Sequence, residues 1–135
     1  MKKNFAWLSL VLILAIPASP ILGEIEGRVW PVAGPATIEA IDHFENGWTY
    51  FSMAAPKNRN CNWRSTKFFL GKRGNGNVPV AFEHLDRPQL REMGDHYWPS
   101  SRVQLTPEQL LSGAYADVLH ICGPGLWLTR TRFYN

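Results

Sequence analysis

His120 and Cys122 stand two residues apart, and in a strand that spacing puts both side chains on one face. An imidazole and a thiolate side by side are half of a zinc site, which needs two further ligands; His84 or His96 is placed to supply one. A disulfide to Cys61, the other cysteine of the chain, uses Cys122 differently. It leaves His120 as a core histidine hydrogen-bonded to a neighbouring backbone group. In an exported chain two cysteines most simply pair, so Cys61–Cys122 is the expected state, with no metal and no other cofactor. A second inventory suits acid–base work: His43, Glu45, His84, Asp86 and His96, with Arg64 or Arg130 to hold an anion. Such a set fits hydrolysis of a phosphodiester or glycosidic bond. Yet Asp42-His43 and His84-x-Asp86 fall at the ends of expected strands, where such residues simply meet water. There is no G-x-S-x-G, H-E-x-x-H or P-loop. No catalytic residue is assigned, and the reading favours a non-enzymatic protein.

Binding chemistry has two candidate sources. Between Glu45 and Glu83 there is no acidic residue, while Lys57, Arg59, Arg64, Lys67, Lys72 and Arg73 all fall there. That block suits a phosphate polymer, an acidic glycan or lipid headgroups. It equally suits a solvated strand-and-turn face balanced by Glu24, Glu26, Glu39, Asp42 and Glu45. The second source is Tyr97-Trp98 in a loop over Gly94–Ser101, a contact surface for a partner or glycan. Trp30, Trp48 and Trp127 are expected in the core, because a small domain needs large side chains to fill it.

The first 23 residues decide where this chemistry operates. Lys2 and Lys3 precede an apolar run from Phe5 to Ile16, broken once by Ser9; Pro17, Pro20 and small residues follow to Gly23. This is the layout of a secretory signal. Phe5–Leu22 counts 18 residues, slightly short of the roughly 20 that span a bilayer. Cleavage after Gly23 or Ala18, and retention as an N-terminal membrane anchor through residues 5–22, are both open. Either outcome sends residues 24–135 to the periplasm or the cell exterior. Without residues 1–23 the chain carries 12 basic and 11 acidic side chains, so its overall charge gives no specific signal for nucleic acid.

The elements that must position these groups are short. Eleven glycines and 10 prolines divide the chain into runs rich in β-branched and aromatic residues. Strands are expected at Gly27–Val32, Ala36–Asp42, Trp48–Ala54, Asn62–Leu70, Val78–His84, Arg102–Leu105, Tyr115–Cys122 and Leu126–Tyr134. Gly71–Asn77 reads as a hairpin turn. Thr106-Pro107-Glu108-Gln109 is a capping box opening a helical turn that Gly113 closes, near 106–113. The expected fold is all-β, a single small antiparallel sandwich over residues 24–135. With Cys61 and Cys122 at an interval suited to an inter-sheet disulfide, and a corner segment before the second cysteine's strand, the architecture resembles an immunoglobulin-like sandwich. Trp63 lies two residues after the first cysteine rather than a strand beyond it, and His120 takes the tyrosine-corner position. The expected function is an exported binding or interaction module, its partner an unknown protein or an anionic envelope component. The alternatives are a small exported hydrolase and a structural envelope component with a retained anchor.

Overall fold

The computed structural model describes residues 19–86, 92–123 and 127–135; the apolar run 5–16 lies outside them. Eight strands follow one another: β1 (Thr37–Glu45), β2 (Trp48–Lys57), β3 (Asn62–Lys72), β4 (Asn75–Val80), β5 (Phe82–His84), β6 (Gly94–Val103), β7 (Ala114–Ile121) and β8 (Leu128–Tyr134). Helical residues 19–29 form α1, and Pro107–Ser112 forms α2 between β6 and β7. The strands make two four-stranded antiparallel sheets, β1-β2-β6-β5 and β4-β3-β7-β8.

Turn residues fix the register. Asn46 and Gly47 both take positive φ, 52° and 82°, as a two-residue turn between twisted strands requires. Arg73-Gly74 joins β3 to β4 with Lys72 opposite Asn75, and Gly74 sits at φ 85°. Period-2 alternation then sends Phe51 and Met53 of β2 inward, against Phe68 of β3, Ala116 and Val118 of β7 and Phe133 of β8. The Phe51 and Phe68 rings meet edge-on at 6.2 Å and those of Trp98 and Phe133 at 6.0 Å, so aromatic contacts tie one sheet to the other. At one end α2 inserts the wholly buried Leu110. Its capping box is formed, with Thr106 Oγ1 accepting from Gln109 N and Gln109 Oε1 accepting from Thr106 N.

Four expectations are corrected. Val78–His84 is two strands: the chain leaves one sheet after Val80 and joins the other at Phe82, so Val78 is exposed while Phe82 packs against the core. Gly94–Ser101 is not a loop but most of β6, which places Tyr97 and Trp98 on opposite faces of a strand. The disulfide forms, yet within one sheet: Cys61 and Cys122 flank the Asn62–Ile121 pair of β3 and β7, with Cα atoms 4.8 Å apart. Gly27–Val32 is no strand, because the helix runs to residue 29 and stops before Pro31.

That helix is fitted to the sheet by its glycines. A Cβ added at Gly23 would lie 1.9 Å from the Leu128 carbonyl oxygen, and one at Gly27 1.9 Å from that of Arg130. Four residues of helix rise about 6 Å and two residues of strand about 6.7 Å, so the glycine pair matches the carbonyl repeat of β8. β8 is an edge strand, and α1 covers that edge. Ile21, Leu22, Ile25 and Val29 occupy the opposite face of the helix and are exposed. The expected boundary at residue 23 falls inside this helix.

Candidate functional site

Opposite the end closed by α2, the inward positions of the sandwich turn polar. Along β2 the buried Met53 and Ala55 are followed at the same parity by Lys57. Along β7 Ala116 and Val118 are followed by His120, and along β5 Phe82 by His84. On β6 the inward Trp98 is preceded by His96. These side chains, with Trp63, Arg64, Asp86 and Glu92, line a cleft of about 670 Å³, within the size range of small-molecule sites. A register shift in β3 between Trp63 and Ser65 breaks the alternation there, and both Trp63 and Arg64 line the cleft.

Aromatic contacts join the walls. The His84 ring stacks on Trp98 at 6.0 Å and meets Trp63 edge-on at 6.4 Å; His96 lies 6.3 Å from Trp98. Trp63 donates its indole N–H to Thr66 Oγ1 and remains 47% exposed, the largest open apolar surface in the cleft. The polar groups on this side are held in place. His84 Nδ1 lies 3.1 Å from the Ser101 hydroxyl, His96 Nε2 donates to the Glu92 carbonyl at 2.6 Å, and Asp86 Oδ2 accepts from Ser100 N at 3.0 Å.

His120 differs. It is 4% exposed, and its Nδ1 has no hydrogen-bond partner. Burial, then the charges of Lys57 and Arg59, push its pKa down to about 4, so the ring is neutral at physiological pH. The backbone partner expected for this histidine is not found at Nδ1. Lys57 is itself held below the usual lysine range by burial. The cleft is therefore lined by a partly desolvated ammonium, by an imidazole whose Nδ1 is buried without a hydrogen-bond partner, and by an open indole.

The other expected site residues are dispersed. Arg59 donates to Glu26 Oε1 at 2.7 Å and to the Trp30 carbonyl at 2.9 Å, and its guanidinium lies 4.0 Å over the Trp30 ring. Trp30, expected in the core, is 63% exposed beneath that cation. Burial would raise the pKa of Glu26, but hydrogen bonds from Trp127, Arg59 and Thr129 and the Arg59 charge outweigh it and hold the carboxyl below its ordinary value. Arg73 pairs with the buried Asp117, donates to the Ala116 and Tyr134 carbonyls and covers the Tyr115 ring at 4.3 Å. Lys67 and Lys72 are exposed on β3, away from the cleft, and Tyr97 faces outward. His43 stacks on Tyr50 at 4.2 Å, and neither His43 nor Glu45 of β1 lines the cleft. Of the acid–base inventory the structure thus gathers His84, Asp86 and His96, with Arg64 beside them and Arg130 elsewhere. Ser101, the hydroxyl beside His84, is wholly buried and out of reach of a substrate.

Among the described residues no group of three or more His, Cys, Asp and Glu is arranged to hold a metal ion, and no helix is long and apolar enough to cross a membrane. No protein-family model, curated protein or solved structure matches the chain.

Proposed function

We propose that the protein is an exported, non-enzymatic binding module whose ligand site is the cleft at the polar end of the sandwich. One observation carries this reading: inward positions on four strands, which elsewhere hold the core, hold Lys57, His84, His96 and His120 here. A sandwich gains stability from apolar side chains at such positions, so polar ones converging on a cleft are retained for another use. Export is supported by the charged and apolar leader, and by a disulfide of the kind oxidising compartments maintain. Binding rather than catalysis is favoured because Asp86, His84 and His96 are committed to Ser100, Ser101 and the Glu92 backbone.

The strand order supports an immunoglobulin-like reading of the scaffold. Lettered in chain order, with the fourth strand as C′, the sheets run A-B-E-D and C′-C-F-G, and α2 occupies the E–F corner. The disulfide then joins C to F within one sheet, leaving the inter-sheet space open where the cleft lies.

Backbone and indole amide shift mapping tests the proposal, with the disulfide-bonded protein titrated against neutral and acidic oligosaccharides and short peptides. The expected shifts gather at Trp63, His84, His96 and Trp98, while outward Tyr97 and Val78 stay still. A ligand that moves the outer face and leaves the cleft unchanged would overturn it.

A further inference from the structure

Resting on the cleft as a binding site, we infer that its ligand is a saccharide bearing a carboxylate on its ring, the carboxylate seated between Lys57 and His120 and the ring lying against Trp63. A buried polar atom without a partner is destabilising, and native proteins seldom keep one without a functional reason. His120 Nδ1 is such an atom, buried within a side chain that lines the cleft. A neutral hydroxyl would satisfy it. Lys57, which lines the same cleft, and Arg59 nearby add positive charge, and with burial as the larger cause they keep the imidazole neutral. An oxygen anion answers both features at once, accepting from the Nδ1–H tautomer of His120 and pairing with the Lys57 ammonium.

The rest of the cleft narrows the anion. Asp86 and Glu92 line it too, with Arg64, and the two carboxylates disfavour a phosphate monoester, which bears more negative charge than one carboxylate. Asn60 and Asn62 add amides able to donate and accept. An exposed indole face flanked by amides and carboxylates is suited to the C–H face and hydroxyls of a sugar ring. A uronic acid unit joins these demands: a carboxylate on a ring that has both an apolar face and hydroxyls.

The test uses the disulfide-bonded protein, with digalacturonate and a glucuronate-containing disaccharide as probes, galactobiose as the neutral control and inorganic phosphate as the competing anion. Titration calorimetry gives affinity, and proton–nitrogen correlation of the imidazoles reports His120 directly. Uronates are expected to bind about tenfold to a hundredfold more tightly than galactobiose, the range of a charge-assisted hydrogen bond, and to shift the His120 ring nitrogens. Lys57→Met is expected to lower uronate affinity to the neutral level and leave that for galactobiose unchanged. Trp63→Ala is expected to weaken both sugars. Galactobiose binding as tightly as the uronates overturns the carboxylate seat and leaves the binding cleft standing. Phosphate displacing a uronate at equal concentration overturns the choice of anion. If neither sugar moves the cleft, the inference fails; peptides or other ligands moving it would keep the broader reading, and silence from every ligand would remove both.

Discussion

Lowering the pH from about 7 to about 4.5 should destabilise this fold through one ring. In the unfolded chain His120 takes up a proton below its ordinary pKa of 6.5; in the native protein it resists until the pH nears 4. The native pKa is depressed, so the stability of the neutral ring is complete above about pH 6.5 and is lost as the pH falls towards 4. At about pH 4.5 the difference amounts to about 2.5 kcal/mol, a large share of what holds a small domain folded. Carboxylates titrate in the same window, Glu26 among them, and their contributions must be subtracted. His120→Leu does this, since leucine nearly conserves the volume and cannot titrate. Urea unfolding of both proteins across that range should show the wild type losing about 2.5 kcal/mol more than the variant. Parallel losses, within about 0.5 kcal/mol, would refute the depressed pKa and with it the burial of His120 within the field of Lys57 and Arg59.

Gly27→Ala reverses an ordinary expectation. Alanine in a helix usually adds about 1 kcal/mol, but here its Cβ meets the Arg130 carbonyl oxygen, and a net loss of about 1–3 kcal/mol is expected by chemical denaturation; a more stable variant would mean that α1 does not lie on β8. Reducing Cys61–Cys122, which are separated by 61 residues, should lower stability by roughly 4 kcal/mol in the chain-entropy model, and a thermal midpoint indifferent to reductant would contradict it. Arg73→Met leaves Asp117 buried with Arg130 at 3.5 Å as its remaining ion pair, so a loss of about 2–3 kcal/mol should appear on urea unfolding. A variant as stable as the wild type would make Arg73 a surface charge.

Strand positions and the capping box could be read from local sequence because β-branched runs, Gly/Pro breaks and Thr106-Pro107-Glu108-Gln109 act over a few residues. What lay beyond local reading depends on partners far along the chain. Gly23 and Gly27 look like loop residues until Leu128 and Arg130 supply the carbonyls they fit, about a hundred residues later. Val78, Val80 and Phe82 alternate without a break through the point where the chain changes sheets, so the sequence carries no mark of the switch beyond Pro79 at an edge. Arg59 and Arg73 read as parts of a basic face, but Glu26 and Asp117 claim them. His84, Asp86, His96 and Trp98 were legible as residue types. Their convergence was not, because it depends on how far along each strand the mouth of the sandwich lies. One signal was available: counting by twos outward from Met53 reaches Lys57, and from Ala116 reaches His120, at positions where a core would want aliphatic side chains.

If the leader is removed, the clasp that α1 forms on β8 makes the position of the cut matter for the sheet edge. A peptidase cutting after Ala18 would leave both glycines in place, whereas one cutting after Gly23 would remove half of the clasp and leave Gly27 and Glu26 to hold a single turn of helix. The backbone groups of β8 would then be partly uncovered, a template for a strand of a second copy. A cut that removes Gly23, which lies against β8 itself, would thus favour edge-to-edge pairing over a solitary product.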